Sequence, residues 1–282
     1  MILPDFILIT RQNKLWTESG IDSKKLCLDK QHFNSYPYTV EYNYNSRGFR
    51  DSEWPDDISN AIWCFGDSFT VGLGSPLEHT WVNILQNKTN IRCINVSMDG
   101  ASNDWIARKV LRLLETVTPR CIIIQWTYAH RTEDVDDTKI DEDRRLAYNN
   151  LDNRVYLSNF NKNLAAVNAA AISTRLIHSM IPNAYQIENE EFFKLKWNEL
   201  SGDTWPTAPY TIPEFDSIPT NIKEELSTYD FYNDYYEYIH LTDLINRNNI
   251  IQVTQVDLAR DGHHYDKATA TNFVSDLMKV IY

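Results

Sequence analysis

Apolar runs alternate with amphipathic segments in the first half of the chain. The runs Ile62–Phe65, Ile91–Val96 and Cys121–Trp126 are short and mainly apolar, which is typical of strands covered on both faces. Between them, Thr80–Gln86 and Asn103–Val117 carry apolar residues at helical spacing. Strands that alternate with helices form parallel sheets, so the pattern predicts an α/β fold with a doubly wound, mainly parallel sheet.

The alternation weakens in the second half of the chain. Asn159–Met180 has apolar residues along one side and predicts one long helix, which Pro182 ends. The following stretch is too aromatic for a disordered linker, so we expect a large insertion, about residues 132–240, folded against the core. Regular structure returns in three predicted elements: a helix over His240–Arg247, a strand over Ile250–Val253 and a closing helix over Lys267–Tyr282.

Residues 1–60 precede this rhythm and are rich in tyrosine, asparagine and charge. We expect an N-terminal extension packed on an α/β domain of residues 61–282. Asn45–Asp51 is a turn-forming cluster, and its two arginines leave two interpretations open. Either an edge hairpin packs on the core with Arg50 in an ion pair, or a lid brings Arg47 or Arg50 to an anionic substrate.

Composition and net charge limit the classes of binding partner and the cellular compartment that we expect. With 282 residues, 43% of them hydrophobic, the chain is long enough for one α/β domain with a sizeable core. The net charge of −12 argues against a nucleic-acid partner, because such binding depends on lysine and arginine. No apolar run has the length of a membrane span and no signal peptide is visible. We expect a soluble cytoplasmic protein, and a phage-borne one would have the same features.

The four cysteines show no spacing of a metal site. Cys64, Cys93 and Cys121 fall within apolar runs, and Cys27 lies in the N-terminal extension. We interpret all four as buried, reduced thiols, which suits a reducing compartment.

Ser68 stands where the first predicted strand ends abruptly in Gly66-Asp67-Ser68. Reactive groups in open α/β sheets sit at such strand ends, and a serine there needs a general base that is itself oriented by a third group. Asp261 and His264 are three residues apart on one loop, so the carboxylate can hold Nδ1 while Nε2 faces Ser68. His263, beside Asp261 or Asp266, is an alternative base, and surface histidines without a catalytic role are a further interpretation.

Two motifs resemble a known family. Gly66–Gly72 resembles the first signature block of the SGNH/GDSL hydrolases, and Asp261–His264 has the family's Asp-x-x-His form just before the last helix. The family comprises esterases, lipases and carbohydrate deacetylases. The resemblance implies a flavodoxin-like three-layer α/β/α fold and a catalytic set of Ser68, Asp261 and His264 that needs no metal or cofactor.

The resemblance also implies donors for the oxyanion. The backbone N–H of Ser68 is one, and that of Gly100, in a segment similar to the second block, is another. The family's third donor is an asparagine in a Gly-x-Asn-Asp block. Here Thr127 stands roughly in its place without the glycine, and either Thr127 or Asn103 is a candidate for the third donor.

Four further residues are candidates for substrate binding: Asp67, Trp126, Arg131 and His263. Asp67 has a structural alternative, which is to accept backbone N–H bonds and hold the turn, and Trp126 has packing as its alternative. The leading hypothesis is a serine hydrolase that removes a small acyl group, such as acetyl, from a carbohydrate or a small ester. An O-acyltransferase with the same residues and a catalytically silent binding protein of the same fold are the alternatives.

Overall fold

A computed structural model describes residues 4–58, 60–129, 131, 133, 153–182, 241 and 243–282. Five strands form one parallel sheet: β3 Ile62–Gly66, β4 Cys93–Ser97, β5 Cys121–Trp126, β6 Arg175–Met180 and β7 Ile251–Gln252. Their order across the sheet is β4-β3-β5-β6-β7. Two short antiparallel strands, β1 Leu15–Trp16 and β2 Tyr42–Asn43, lie outside it. The predicted doubly wound, parallel α/β sheet is confirmed.

The described residues also form helices. They are α1 Lys30–Ser35, α2 Ser68–Val71, α3 Trp81–Thr89, α4 Asn103–Thr116, α5 Asn153–Ala170 and α6 Lys267–Ile281, and 243–247 is also helical. Two 3₁₀ turns are Ile9–Arg11 and Leu77–His79. α3 packs against α6 and α4 against α5. Because right-handed crossovers in opposite directions place α3 and α4 on opposite faces, the sheet is the middle of three layers.

The strands are covered on both faces, as their sequences predict. Every residue of β3, β4 and β5 is buried. Residues of these strands alternate in direction, so uninterrupted burial requires apolar layers above and below the sheet. All four cysteines are buried free thiols, as predicted. Within the described part of the chain, no helix is both long and apolar enough to cross a bilayer.

The prediction of one long helix over Asn159–Met180 is wrong. α5 ends at Ala170, and the remaining residues form β6, which pairs with β5 over its whole length. The error has a physical reason, because the apolar spacing of a short buried segment does not distinguish a strand from a helix. Part of the expected insertion, residues 132–240, therefore belongs to the sheet and its helices. The rest of it, apart from residue 133, lies outside the described residues.

Described residues of the N-terminal extension contribute to the main core. Its buried apolar side chains in that core are those of Phe6, Leu8, Phe49, Trp54 and Ile58. The ion pair expected for Arg50 is not what the structure shows. Its buried guanidinium donates to four backbone carbonyls, those of Glu41, Val71, Gly72 and Ser75, at 2.6–3.1 Å. Arg50 has 1% of its surface exposed, so the lid interpretation does not suit it either.

The direction of the chain across the sheet reverses at β3, which has β4 on one side and β5 on the other. In such sheets the carboxyl ends of the two strands at the reversal border an open crevice. Ser68 follows β3 and Thr127 follows β5 at this end. The fold thus brings the serine to the position where doubly wound proteins bind their ligands.

Candidate active site

Ser68 is the first residue of α2, directly after β3. The turn depends on Gly66, because a Cβ atom there would lie 2.0 Å from Thr70 Oγ1. Asp67 caps the helix by accepting a hydrogen bond from the backbone N–H of Phe69 at 3.0 Å. Strand, close turn and capped helix therefore fix the direction of the serine side chain.

The loop between β7 and α6 returns to this serine across 196 residues of sequence. His264 Nε2 lies 2.8 Å from Ser68 Oγ, and its Nδ1 lies 2.5 Å from Asp261 Oδ2. Asp261 Oδ1 accepts the backbone N–H groups of His263 and His264, each at 2.9 Å. The three side chains that the motifs single out thus form one continuous hydrogen-bonded chain.

His263 does not share this arrangement. Its ring Nε2 lies 3.5 Å from the Tyr128 hydroxyl, and Asp261 accepts from its backbone N–H. Asp266, the other carboxylate considered for it, contacts His79 instead. The geometry therefore favours His264 over His263 as the base.

Burial and charge act in opposite directions on the His264–Asp261 pair. Burial alone would lower the pKa of His264, but the charge and hydrogen bond of Asp261 outweigh it and raise the pKa above its ordinary value. Burial would raise the pKa of Asp261, but the charge and hydrogen bond of His264 and two backbone N–H groups lower it. The pair is therefore arranged to stabilise an imidazolium next to a carboxylate.

The loop that carries His264 is held close to the loop that follows Ser68. The backbone N–H of Arg260 donates to the carbonyl of Gly74 at 3.0 Å. Gly74 has φ +75°, and a Cβ atom there would lie 2.8 Å from the Ala259 Cβ and 3.1 Å from two backbone nitrogens. Only glycine allows this approach without strain.

A buried carboxylate, Asp266, joins the same two loops to the N-terminal extension. It accepts from Tyr36 Oη at 2.5 Å and from Ser75 Oγ at 3.1 Å, and it lies 2.8 Å from His79 Nδ1. A second buried carboxylate, Asp22, binds Arg260 from the extension, with the nearer contact at 2.6 Å. Residues distant in sequence therefore fix the position of His264.

The two backbone N–H groups predicted as oxyanion donors are not engaged by other described residues. Among the described residues, neither the N–H of Ser68 nor that of Gly100 has a hydrogen-bond acceptor. Gly100 has φ +72°, in a turn closed by the bond from Ala101 N–H to the Met98 carbonyl. Their assignment as oxyanion donors stays a prediction, and this geometry supports it.

The two candidates for a third donor have their protons engaged elsewhere. The Thr127 hydroxyl donates to Asp67 Oδ2 at 2.5 Å. The Asn103 amide donates to the carbonyls of Thr127 at 3.3 Å and Tyr128 at 3.0 Å, and its Oδ1 accepts from Thr127 N–H at 3.0 Å. As they are placed, these side chains hold the end of β5 and have no proton left for an oxyanion.

The four predicted substrate-binding residues divide into two pairs. Asp67 and Trp126 are completely buried, so neither presents a surface to a substrate. Asp67 has the structural contacts that its alternative interpretation requires, and Trp126 packs against Phe160 and donates to His178 at 3.2 Å. Arg131 and His263 are partly exposed and can border a substrate.

A polar network beneath the site was not apparent from the sequence. Gln125 in β5 joins the Thr70 hydroxyl at 2.9 Å to the Tyr265 hydroxyl at 3.0 Å. Gln125 was the detectable signal, because a glutamine within an apolar strand must find partners in the interior. His79 and Tyr36 carry no such signal, since their partner Asp266 is 187 and 230 residues away in sequence.

No family model matches the chain, and no curated protein matches its sequence. One similar solved structure is that of TesA, at 15% identity over 78% of this chain and 97% of that chain, with a TM-score of 0.40.

A member of the lipolytic protein G-D-S-L family from Veillonella parvula is similar at 14% identity, over 78% of this chain and 97% of its own, with a TM-score of 0.39. A family two carbohydrate esterase from Clostridium thermocellum, in complex with cellohexaose, is similar at 11% identity, over 81% and 65% of the two chains, with a TM-score of 0.45. Structures named as members of the GDSL family are therefore among those similar to this chain. This is the family that the motifs around Ser68 and His264 resemble.

Proposed function

We propose that the protein is a serine ester hydrolase in which Ser68 is the nucleophile, His264 the general base and Asp261 the residue that orients the base. The observation that carries the proposal is the hydrogen-bonded chain from Asp261 Oδ2 through the imidazole to Ser68 Oγ, at 2.5 and 2.8 Å. A serine hydroxyl becomes nucleophilic when an oriented imidazole can take its proton, and this chain provides that arrangement.

The reaction proceeds in two halves. Ser68 Oγ attacks the ester carbonyl carbon as its proton moves to His264 Nε2, and the N–H groups of Ser68 and Gly100 bind the resulting oxyanion. The tetrahedral intermediate collapses, the leaving alcohol takes the proton from Nε2, and the acyl group stays on Ser68. Water then attacks the acyl-serine in the same way, the acid leaves and Ser68 recovers its proton.

Small esters suit the surroundings of Ser68. Ser68 has only 4% of its surface exposed, so the ester carbonyl has to reach a buried hydroxyl, and a small acyl group does so with the fewest contacts to the surrounding side chains. Three partly exposed polar side chains border the neighbours of Ser68: His263 lies against His264, Tyr128 contacts His263, and Arg131 contacts Asp67. They suit a leaving group with many hydroxyls. We therefore propose an acetyl or similarly small acyl group on a carbohydrate or a small alcohol.

The proposal is tested by hydrolysis of 4-nitrophenyl acetate. We expect wild-type activity that Ser68→Ala and His264→Gln each reduce at least about a thousandfold, as substitutions within such a triad do. Equal rates for wild type and Ser68→Ala would remove the enzyme interpretation. A control is Ser275→Ala, which removes a hydroxyl on α6 that contacts only Thr271 and Lys88 among the described residues, and which leaves hydrolysis unchanged.

Acyl-chain length tests the substrate class separately. In the series 4-nitrophenyl acetate, butyrate and octanoate, kcat/KM decreases as the chain lengthens if the acyl site is small. A maximum at octanoate would leave the hydrolase assignment intact and refute the small acyl group.

A further inference from the structure

A second carboxylate lies directly beside the proposed nucleophile. Asp67 is completely buried, and a buried charge must be paired or hydrogen-bonded to be tolerated. Its Oδ1 accepts from Phe69 N–H, and its Oδ2 accepts from the Thr127 hydroxyl at 2.5 Å and from Arg131 Nη1 at 2.9 Å. Of these three donors, only Arg131 carries a charge.

Arg131 is built into this position. Its backbone N–H donates to the Tyr128 carbonyl, and its own carbonyl accepts from Asn103 N–H. Its guanidinium lies 4.8 Å from the centre of the Tyr128 ring, and Nη1 also contacts Thr127 Oγ1 at 3.2 Å. The side chain is only 15% exposed, so its charge acts in a partly desolvated environment where it is weakly screened.

The imidazole of His264 is within the field of several charges. Three carboxylates act on it, Asp261 on its own loop, Asp67 at the start of α2 and Asp99 after β4, and each favours the protonated ring. The neighbouring His263 ring, whose centre lies 4.9 Å away, is subject to Asp67 and to the opposing charge of Arg131. Asp261 orients the base and must keep its charge. Asp67 has no such role, so its charge is the one that has to be compensated.

We propose that Arg131 is a positioning residue of the active site, whose ion pair with Asp67 holds the turn before Ser68 and compensates a negative charge next to His264. This inference rests on the proposed function. The two carboxylates near His264 then have different roles. Asp261 stabilises the imidazolium that forms during the reaction, and Arg131 keeps the charge of Asp67 from protonating His264 in the resting enzyme.

The sign of the effect follows from the role of the base. His264 must be neutral to accept the proton of Ser68, so kcat/KM decreases as pH falls through its pKa. Without Arg131, the unpaired charge of Asp67 favours the imidazolium. The acidic limb of the pH profile then moves to higher pH. Removal of the Asp67 charge alone, with Arg131 in place, moves the limb to lower pH.

The experiment measures kcat/KM for 4-nitrophenyl acetate against pH in four proteins: wild type, Arg131→Gln, Asp67→Asn and the double variant. We expect the acidic limb of Arg131→Gln to lie about 0.5–1 pH unit above that of wild type, the low end of shifts caused by one nearby charge. Asp67→Asn moves it in the opposite direction, and the double variant returns it to within about 0.2 pH unit of wild type by the same cancellation. Arg131→Lys keeps the charge and therefore the wild-type limb.

One control and one further comparison make the outcome specific. Arg92→Gln removes a similar ion pair, with Asp51 at 2.8 Å, at the amino end of β4 and leaves the limb unchanged. If Arg131→Gln does not fold, Asp67→Asn is compared with the double variant. Asp67→Asn retains the unpaired cation of Arg131 and the double variant does not, so this comparison still tests the effect of the Arg131 charge on His264. Coincident limbs in that comparison would overturn the proposal.

An alternative outcome is also informative. A uniform decrease of kcat in Arg131→Gln, with an unchanged acidic limb and no recovery in the double variant, would overturn the proposed charge compensation and leave Arg131 only the role of holding the turn before Ser68. The pKa of His264, read by ¹⁵N NMR in Ser68→Ala and in Ser68→Ala/Arg131→Gln, needs no turnover. Absence of hydrolysis in wild type would therefore end the proposed function without deciding the role of Arg131.

Discussion

Asp261→Asn is expected to change the tautomer of the His264 imidazole. The reason is that two backbone N–H groups fix which end of the new amide faces the ring. Asp261 Oδ1 accepts two backbone N–H groups at 2.9 Å, while Oδ2 faces His264 Nδ1 at 2.5 Å. In the variant, the amide oxygen stays with the two N–H groups and the NH₂ group faces Nδ1. Nδ1 must then accept, which puts the proton on Nε2, facing Ser68 Oγ. An imidazole in this tautomer cannot take the serine proton.

The size of the effect follows from the cost of the opposite rotamer. Turning the amide round breaks two buried hydrogen bonds, each worth about 1 kcal/mol, and leaves donors facing donors. The total is about 2–4 kcal/mol, which keeps the active arrangement below about 3% of molecules. Together with the lost stabilisation of the imidazolium, we expect kcat to decrease about 10²- to 10⁴-fold.

The assay is 4-nitrophenyl acetate hydrolysis beside ¹⁵N NMR of the His264 ring, which reports the tautomer directly. A matched control is Asp257→Asn, since this carboxylate of the same loop also accepts backbone N–H groups, those of Asp266, Ala268 and Thr269, but does not touch His264. It reduces stability and leaves the tautomer and the activity per folded molecule unchanged. Hydrolysis by Asp261→Asn within tenfold of wild type, with the proton on Nδ1, would refute the reasoning.

Two further outcomes test how the fold supports the site. Burial lowers the pKa of His178 to about 4 from 6.5, so as pH falls the imidazole is protonated in the unfolded state before it is protonated in the folded state. The free energy of unfolding is therefore unaffected by this histidine above pH about 6.5 and decreases by about 3 kcal/mol in total as pH falls towards 4. Urea unfolding of wild type and of His178→Gln at several pH values isolates this contribution. The same dependence of the unfolding free energy on pH in both proteins would contradict it. Gly74→Ala places a Cβ 2.8 Å from Ala259, whereas Gly262→Ala has the same positive φ but meets nothing closer than 3.7 Å. We expect the first to cost about 1–3 kcal/mol more than the second in unfolding free energy, and equal losses would mean that the two loops are not in close contact.

The parts of the fold that could be predicted are those whose pattern is local. Cys121–Trp126 is observed as a strand with the predicted limits, because a short apolar run that follows a helix and is rich in β-branched residues is typical of a buried parallel strand. α4 begins at Asn103, as predicted, since Ser102 caps it through Trp105 N–H at 3.1 Å. β6 could not be predicted in the same way, because its apolar spacing continues that of α5.

In the active site, too, only the contacts between residues close in sequence could be predicted. The pairing of Asp261 with His264 is a three-residue spacing and was visible in the sequence, whereas the partners of Asp67 and Asp266 come from other elements of the fold. Thr127 was aligned with a family donor from its place after β5. Whether its hydroxyl is free depends on Asp67, 60 residues earlier, and no local pattern reports that. Arg50 shows the same limit, since a buried arginine can be paired with carbonyls as well as with a carboxylate.

Covalent labelling tests the central claim most directly. An alkyl fluorophosphonate reacts with a serine only when a neighbouring base activates it, and mass spectrometry of the digested protein locates the adduct. We expect one adduct, on Ser68, formed in wild type and slowed at least about a hundredfold in His264→Gln. An unmodified Ser68 in folded wild-type protein, or labelling that His264→Gln leaves unchanged, would contradict activation of Ser68 by His264.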